Sequence, residues 1–290
     1  MINFIPARSV TRNACGRSRA FRCMVDCMLV SAVMLFALPV HADETLSALV
    51  DPLAVSSMVY GETFPLSGYN PLYVLFGDPE TKVQLSFKYQ IIGGAGLYFG
   101  YTQLMFWRLW DDSRPFEDVN YNPEFFYQFT FGSGDTVNSI VVGLYEHKSN
   151  GREGEYSRSY DGNYLKFNIL RPLGRAHMMI SLKAYVLYNL DDPNENIREY
   201  MGCWSAELFL GCRVPGFIVD RAGLYCKAFP GGVYGTDFTR GAREVGTALG
   251  VNVLGIRPYL FTQYRHGYAD SLLHYDRKDS VLRAGFALYR

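Results

Sequence analysis

The chain has 290 residues, is 49% apolar and 16% aromatic, and balances 28 Lys+Arg against 28 Asp+Glu. That apolar content at zero formal charge excludes a disordered chain, and the missing basic excess excludes a general nucleic-acid binder. A single long apolar run near the N-terminus excludes a helical membrane bundle, while the wealth of Tyr and Phe suits strands and a membrane–water interface.

Residues 1–22 carry Arg8, Arg12, Arg17, Arg19 and Arg22 with no acid, and the apolar stretch Met28–Val40 follows. Small residues then stand where a signal peptidase cuts, around Val40-His41-Ala42. This is the layout of a signal peptide, and 13 apolar residues are too few to span a bilayer. We expect residues 1–42 to be a cleaved export signal and residues 43–290 to form the mature domain. Met24 offers a second possible start. Without five arginines and Asp26, 23 bases face 27 acids, a net charge of −4. Cys203, Cys212 and Cys226 remain, an odd number without paired spacing. They read as packing residues rather than a disulfide framework or zinc site.

Beyond the signal the pattern is alternation. In Val83-Gln-Leu-Ser-Phe-Lys-Tyr89 the odd positions are apolar or aromatic and the even ones polar. His177–Tyr188 repeats this, with Met178, Ile180, Leu182, Ala184, Val186 and Tyr188 opposite Ser181 and Lys183. Period-two alternation marks strands with one apolar face. Twelve such segments are expected near 71–76, 82–91, 97–109, 121–131, 139–148, 158–170, 177–188, 200–213, 220–229, 242–251, 257–267 and 281–289. Their connections alternate between short, Gly-rich turns and longer, charged loops; only the first long-side loop, 77–81, is short. Even strand number with this rhythm predicts an all-β, twelve-stranded antiparallel transmembrane barrel with both termini in the periplasm. A soluble sandwich or lipocalin-like barrel is the competing fold. It has no need of the aromatic residues expected at the membrane borders: Tyr101, Phe106, Trp107, Trp110, Tyr121, Phe125, Phe126, Tyr259, Tyr264 and Tyr268.

One segment carries chemistry. Val142–Arg152 runs off the fifth strand, and within it His147 and Ser149 are two residues apart, so an extended chain points both to one face. A Ser hydroxyl becomes a nucleophile when a base such as His takes its proton. Asn150-Gly151 allows a tight turn that aims the Gly151 N–H at a developing oxyanion. The next strand returns as Ser157-Arg-Ser-Tyr-Asp161-Gly-Asn163-Tyr164. A carboxylate or amide there can orient the imidazole. Taken alone, His-x-Ser is also compatible with a polar loop tip.

The segment His147-Lys-Ser-Asn-Gly-Arg152 with Ser157-Arg158-Ser159-Tyr160 resembles the active-site signature of outer-membrane phospholipase A. Tyr101-Thr102-Gln103, Ser113-Arg-Pro-Phe116, Asn120-Tyr121-Asn122-Pro123, Asp191-Asp192, Tyr200-Met201-Gly202 and Gly267–Leu272 fall in matching order. The resemblance implies a twelve-stranded barrel, calcium-dependent hydrolysis of glycerophospholipid acyl esters, and activity as a homodimer. It implies that His147 is the base and Ser149 the nucleophile. The family's third member, an Asn, aligns with Asp161, with Asn163 as the fallback on the same face. It implies calcium (Ca2+) ligands at Ser157 and the Arg152 carbonyl, completed by the Ser113 carbonyl of the partner subunit. It also places Gln103 at the dimer contact, or, on the bland reading, in the lumen. The alternative functions are a non-enzymatic barrel, whether pore or structural, and a lipid A deacylase.

Overall fold

A computed structural model describes residues 65–92, 96–133, 136–216, 218–252 and 258–288. The expected export signal lies outside them. Thirteen strands run β1 (Leu66–Gly68), β2 (Leu72–Gly77), β3 (Thr81–Ile92), β4 (Leu97–Trp107), β5 (Phe116–Ser133), β6 (Thr136–Ser149) and β7 (Ser159–Leu173). They continue as β8 (Ala176–Tyr188), β9 (Trp204–Arg213), β10 (Val219–Gly231), β11 (Asp237–Val251), β12 (Tyr259–Gly267) and β13 (Asp279–Leu288). β1 pairs antiparallel with β3; from β2 onward each strand pairs antiparallel with the next, and β13 returns to β2. The result is the closed twelve-stranded barrel that the alternation predicts, because β1 and β2 lie end to end along β3 as one interrupted strand. At the interruption Tyr69 turns inward and stacks on Phe126, while Asn70 donates to Thr102 Oγ1 at 2.9 Å. Closure pairs every strand edge, which is what lipid demands of a backbone.

The pleat sorts side chains between two environments. On β3, Leu85, Phe87 and Tyr89 are exposed on the outer wall, while Ser86 and Lys88 are buried inside. The interior is a charged network around a cavity of about 440 Å³ lined by Glu124, Glu146, Lys148, Lys183, Glu207 and Lys227 among others. Lys183 Nζ lies 2.9 Å from Glu146 Oε2 and 3.9 Å from the Tyr164 ring centroid. The Tyr164 hydroxyl donates to Glu124 Oε2 at 2.5 Å. Buried charges persist only when paired and hydrogen-bonded, and these pairs tie β5, β6, β7 and β8 together from within.

Two parts of the expected border of aromatics are corrected. Phe106, Phe126 and Tyr259 are buried inside the barrel, not set at the membrane surface. Adjacent strand residues point to opposite faces, so only one of Phe125 and Phe126 can meet lipid; Phe125 does, at 42% exposure. Tyr268 belongs to the loop after β12, where it packs on Tyr200 with ring centroids 5.1 Å apart.

Strand limits also shift. β5 starts at Phe116 rather than near 121, because Asp118 and Asn120 accept the backbone N–H groups of Leu273 and Leu272 at 3.0 and 3.1 Å. Residues Arg198–Met201 form one helical turn instead of opening β9, and Gly202 at φ 67° ends it. The loop 268–278 thus reaches across to β5. Its Asp270 pairs with Lys82 and Arg283, each at 2.8 Å, and with Arg265 at 3.4 Å. Burial would raise the Asp270 carboxyl, but these three cations hold it well below the usual carboxylate range. Leu272 and Tyr275 then pack with Tyr160, Leu187 and Ile197. Cys203, Cys212 and Cys226 are half-buried.

Candidate active site

Inward-facing Glu146 and Lys148 leave Tyr145, His147 and Ser149 on the outer wall of β6. The ladder sets His147 opposite Asp161 and Ser149 opposite Ser159. A register shift between Gly143 and Glu146 puts both Leu144 and Tyr145 on the outer face. His147 Nδ1 and Asp161 Oδ1 are 2.8 Å apart. An ionised carboxylate can only accept, so Nδ1 carries the proton and Nε2 is left with its lone pair. The His147 side chain is 35% exposed and that of Asp161 14%. Asp161 is held further by the Tyr145 hydroxyl at 3.0 Å on Oδ1 and by Asn189 Nδ2 at 2.8 Å on Oδ2. Asn163 does not approach the imidazole; its amide donates to the Leu144 carbonyl at 2.5 Å. Among the described residues no hydrogen bond joins Ser149 Oγ to His147. Catalytic hydrogen bonds of this kind often tighten only around substrate.

The loop that follows is organised by buried Asn150. Its Oδ1 accepts the N–H groups of Arg158 at 3.0 Å and Arg152 at 3.3 Å, and its Nδ2 donates to the Tyr156 carbonyl at 2.9 Å. Gly151 takes φ 64°, and a Cβ there would stand 3.0 Å from the Tyr121 ring. Only glycine enters this conformation cheaply at such close approach. The Gly151 N–H makes no hydrogen bond among the described residues, so it remains a donor beside Ser149.

The family model for phospholipase A1 matches residues 65–288. The chain belongs to the phospholipase A1 family. It is 28% identical to phospholipase A1 of Salmonella typhimurium over 219 residues, covering 72% of this chain and 69% of that one. With phospholipase A1 of Escherichia coli K12 it shares 29% over the same length and coverage. Its fold superposes on the Salmonella typhi outer-membrane phospholipase dimer with bound calcium at TM-score 0.65 and 24% identity, covering 82% of this chain and 98% of that one. The Escherichia coli outer-membrane phospholipase A gives TM-score 0.63 at 23% identity, with the same coverage. The protein is thus a phospholipase built on an outer-membrane β-barrel.

In this phospholipase the residues expected to hold calcium divide between two loops. Ser157 Oγ donates to Asp191 Oδ2 at 2.6 Å, and the Arg152 carbonyl accepts no hydrogen bond among the described residues. The Arg152 guanidinium reaches back to the Glu117 carbonyl and stands 4.0 Å from Asp118 Oδ1. Ser113 is exposed in the separate loop between β4 and β5. A hydroxyl, a free carbonyl and a neighbouring carboxylate form an oxygen set that suits a hard cation. Among the described residues no cluster of three His, Cys, Asp or Glu side chains forms a metal site. Gln103 is on the outer wall, since its neighbours Thr102 and Leu104 line the cavity, so the lumen-facing alternative does not hold. Its Oε1 accepts from the Tyr101 hydroxyl at 2.9 Å, and one cross-strand row runs Gln103, Tyr121, Ser149, Ser159.

Sequence reasoning passed over Tyr145 and Asn189 around Asp161, the Asp191 contact to Ser157, and Asn194. Asn194 fixes Ser159, accepting its N–H at 3.1 Å and donating to its carbonyl at 3.0 Å. Tyr145 was hidden by the register shift, which breaks simple alternation. Asn189, Asp191 and Asn194 come from a different loop, and no spacing rule links that loop to β7.

Proposed function

We propose that this phospholipase is calcium-dependent and hydrolyses acyl esters of glycerophospholipids at either position, and of lysophospholipids, through Ser149, His147 and Asp161. The observation that carries the reading is the 2.8 Å bond from His147 Nδ1 to Asp161 on the lipid-facing wall, with Ser149 two residues along the same face.

Ser149 Oγ attacks the acyl carbonyl carbon as His147 Nε2 takes the hydroxyl proton. The carbonyl oxygen becomes an oxyanion toward which the Gly151 N–H is aimed. Asp161, with Tyr145 and Asn189 behind it, orients the imidazole and stabilises its charged form. The ester C–O bond breaks, and the proton on His147 passes to the leaving glyceryl oxygen. A water then attacks the acyl-Ser149 carbonyl, His147 takes its proton and returns it to Ser149, and the fatty acid leaves. Substrate arrives laterally from the bilayer, because all three groups face outward.

Ser157 and the Arg152 carbonyl, with Ser113 of the partner subunit, would hold calcium beside this site. Bound there, the ion would supply a positive field near the oxyanion. Homodimerisation accounts for a ligand from a second copy, and the polar Gln103 on an otherwise lipid-facing wall is a natural contact for it, since buried polar groups in a membrane seek partners. We further propose export by cleavage after Ala42.

The test is hydrolysis of phosphatidylethanolamine in mixed micelles by the full protein, with and without excess chelator. Wild type is expected to release fatty acid only with calcium, and Ser149→Ala to release none under either condition. Undiminished turnover in chelator removes calcium from the reading, and a fully active Ser149→Ala removes the nucleophile.

A further inference from the structure

The far side of the barrel carries a second polar feature on its outer wall. Arg243 on β11 pairs across to His266 on β12, and His266 pairs across to Ser280 on β13. Three strands lie between β7 and β11, and four between β13 and β6, so this row stands well away from Ser149. It is at the same end of the barrel as the loop 150–158, because the connections β6–β7 and β12–β13 share that end. His266 Nδ1 and Ser280 Oγ are 2.5 Å apart, and Nε2 has no hydrogen-bond partner among the described residues. Lys278, two residues before Ser280, bears electrostatically on the imidazole together with Arg243.

The row lacks a counter-charge. Four arginines of this rim, Arg108, Arg152, Arg240 and Arg277, stand beside acids at Glu117, Asp118, Glu199 and Asp279, and Arg158 and Arg198 are bonded to backbone carbonyls. Arg243 and Lys278 are exposed and have no ion-pair partner among the described residues. Lys278 has only the Tyr268 ring, 5.9 Å away. Of the nearby acids, Asp279 is bonded to Arg277, Glu244 faces the interior with Gln263 and Arg265, and Asp276 is exposed in the loop. One step toward the membrane the wall turns apolar: Val245, Tyr264 and Leu282 form the next outward row on the same three strands. Beyond the row Thr247, Thr262 and Ala284, whose threonine hydroxyls bond each other at 2.8 Å, Leu260 and Phe286 are exposed.

Cations beside an imidazole and a hydroxyl, directly above an apolar wall, match an amphiphile with an anionic head and acyl chains. Two uncompensated positive side chains match a dianion better than a monoanion. Phosphate monoesters carry nearly two charges at neutral pH and take several charge-assisted hydrogen bonds from Arg, Lys and hydroxyl groups. We propose that Arg243, His266, Lys278 and Ser280 form a binding site for the phosphomonoester head of a membrane lipid, whose chains lie on Val245, Tyr264 and Leu282. This site is separate from the hydrolytic one, and its occupant is held rather than cleaved.

The test uses the full protein in neutral detergent micelles and dialkyl-ether lipids, which contain no ester to hydrolyse. Retained lipid is counted by native mass spectrometry. Ether phosphatidic acid is expected to stay bound, ether phosphatidylglycerol to bind several-fold more weakly, and ether phosphatidylcholine not to be retained. The double variant Arg243→Gln, Lys278→Gln should bind the phosphatidic acid at least about tenfold more weakly, the scale of one lost charge-assisted hydrogen bond. Its catalysis should be unchanged. Equal retention of all three lipids by wild type overturns the site, as does undiminished binding by a double variant that still shows the heat-modifiable mobility of a folded barrel. Equal binding of phosphatidylglycerol and phosphatidic acid overturns the phosphomonoester assignment. The headgroup ranking needs no variant, so it stands even if the substitutions prevent folding.

Discussion

The same stretch of β6 and β7 presents two different worlds. Outward stand Tyr145, His147, Ser149 and Asp161; inward, one residue away, stand Glu146, Lys148, Tyr160 and Tyr164. The outer set is polar where lipid would favour apolar side chains, and both Tyr145 and His147 converge on the Asp161 carboxylate. The inner set is polar as well, yet Glu146 is paired with Lys183 and the Tyr164 hydroxyl is bonded to Glu124. Polarity on a barrel wall therefore has two meanings, decided by the face. Inside, it replaces a hydrophobic core. Outside, it costs solvation and marks a place where something binds or reacts.

The largest expected effect separates the two faces. Ser149→Ala should lower kcat for phospholipid hydrolysis by at least about a thousandfold, as loss of a nucleophile does. Its heat-modifiable mobility should remain that of wild type, because no described hydrogen bond of the barrel uses Ser149 Oγ. A variant that is equally inactive but unfolded would assign Ser149 to structure instead.

Next comes the carboxylate. Asp161→Ala removes the acceptor for His147 Nδ1, Tyr145 and Asn189 together and should cost about a hundredfold in kcat or more. Asp161→Asn is expected to stay within about tenfold of wild type. Its amide oxygen can still accept from His147 and Tyr145, and its NH2 can donate to Asn189 once the Asn189 amide turns over. An Asp161→Asn enzyme as inactive as Asp161→Ala would show that the negative charge, not the orientation, is what Asp161 provides.

The inner face should answer in stability. Glu146→Gln leaves Lys183 without its carboxylate partner 2.9 Å away. A cost of about 1–3 kcal/mol is expected, read as a lower denaturation midpoint. Activity per folded molecule should hold, although Glu146 is the immediate neighbour of His147. A fall in kcat at unchanged stability would couple the two faces through the backbone of β6.

How much of this could be read from sequence follows the same division. The outer wall was legible because alternation is a local property: Leu85, Phe87 and Tyr89 sort by parity alone, and so do His147 and Ser149. The twelve strands followed from counting such segments. The inner network was not legible, since the pairing of Lys183 with Glu146 spans 37 residues and that of Lys82 with Asp270 spans 188. Parity fixes which face a residue takes and says nothing about its neighbour across the lumen. At Phe125-Phe126 and Phe106-Trp107 the border aromatics failed because composition does not say which of two adjacent rings turns inward; Tyr259 failed because it bonds Arg221 inside the barrel, a partner 38 residues away. The support around Asp161 failed for a third reason: Asn189 reaches it from another loop, and the shift at Leu144-Tyr145 interrupts the parity that would have placed Tyr145.

The smallest expected effect tests the register itself. Asn163 shares the outer face of β7 with Asp161, but its amide is spent on the Leu144 carbonyl at the irregular turn of β6. Asn163→Ala should therefore loosen that irregularity by about 1 kcal/mol or less and leave kcat within about twofold. The imidazole keeps its bond to Asp161, so the pH profile of hydrolysis should be superimposable on wild type. A loss as large as that of Asp161→Ala would mean that the strand slides by two residues when substrate binds. Such a slide preserves which side chains face outward, so it would exchange Asp161 for Asn163 opposite His147; it would also carry Tyr164 away from Glu124 and Lys183 and so show as a loss of stability.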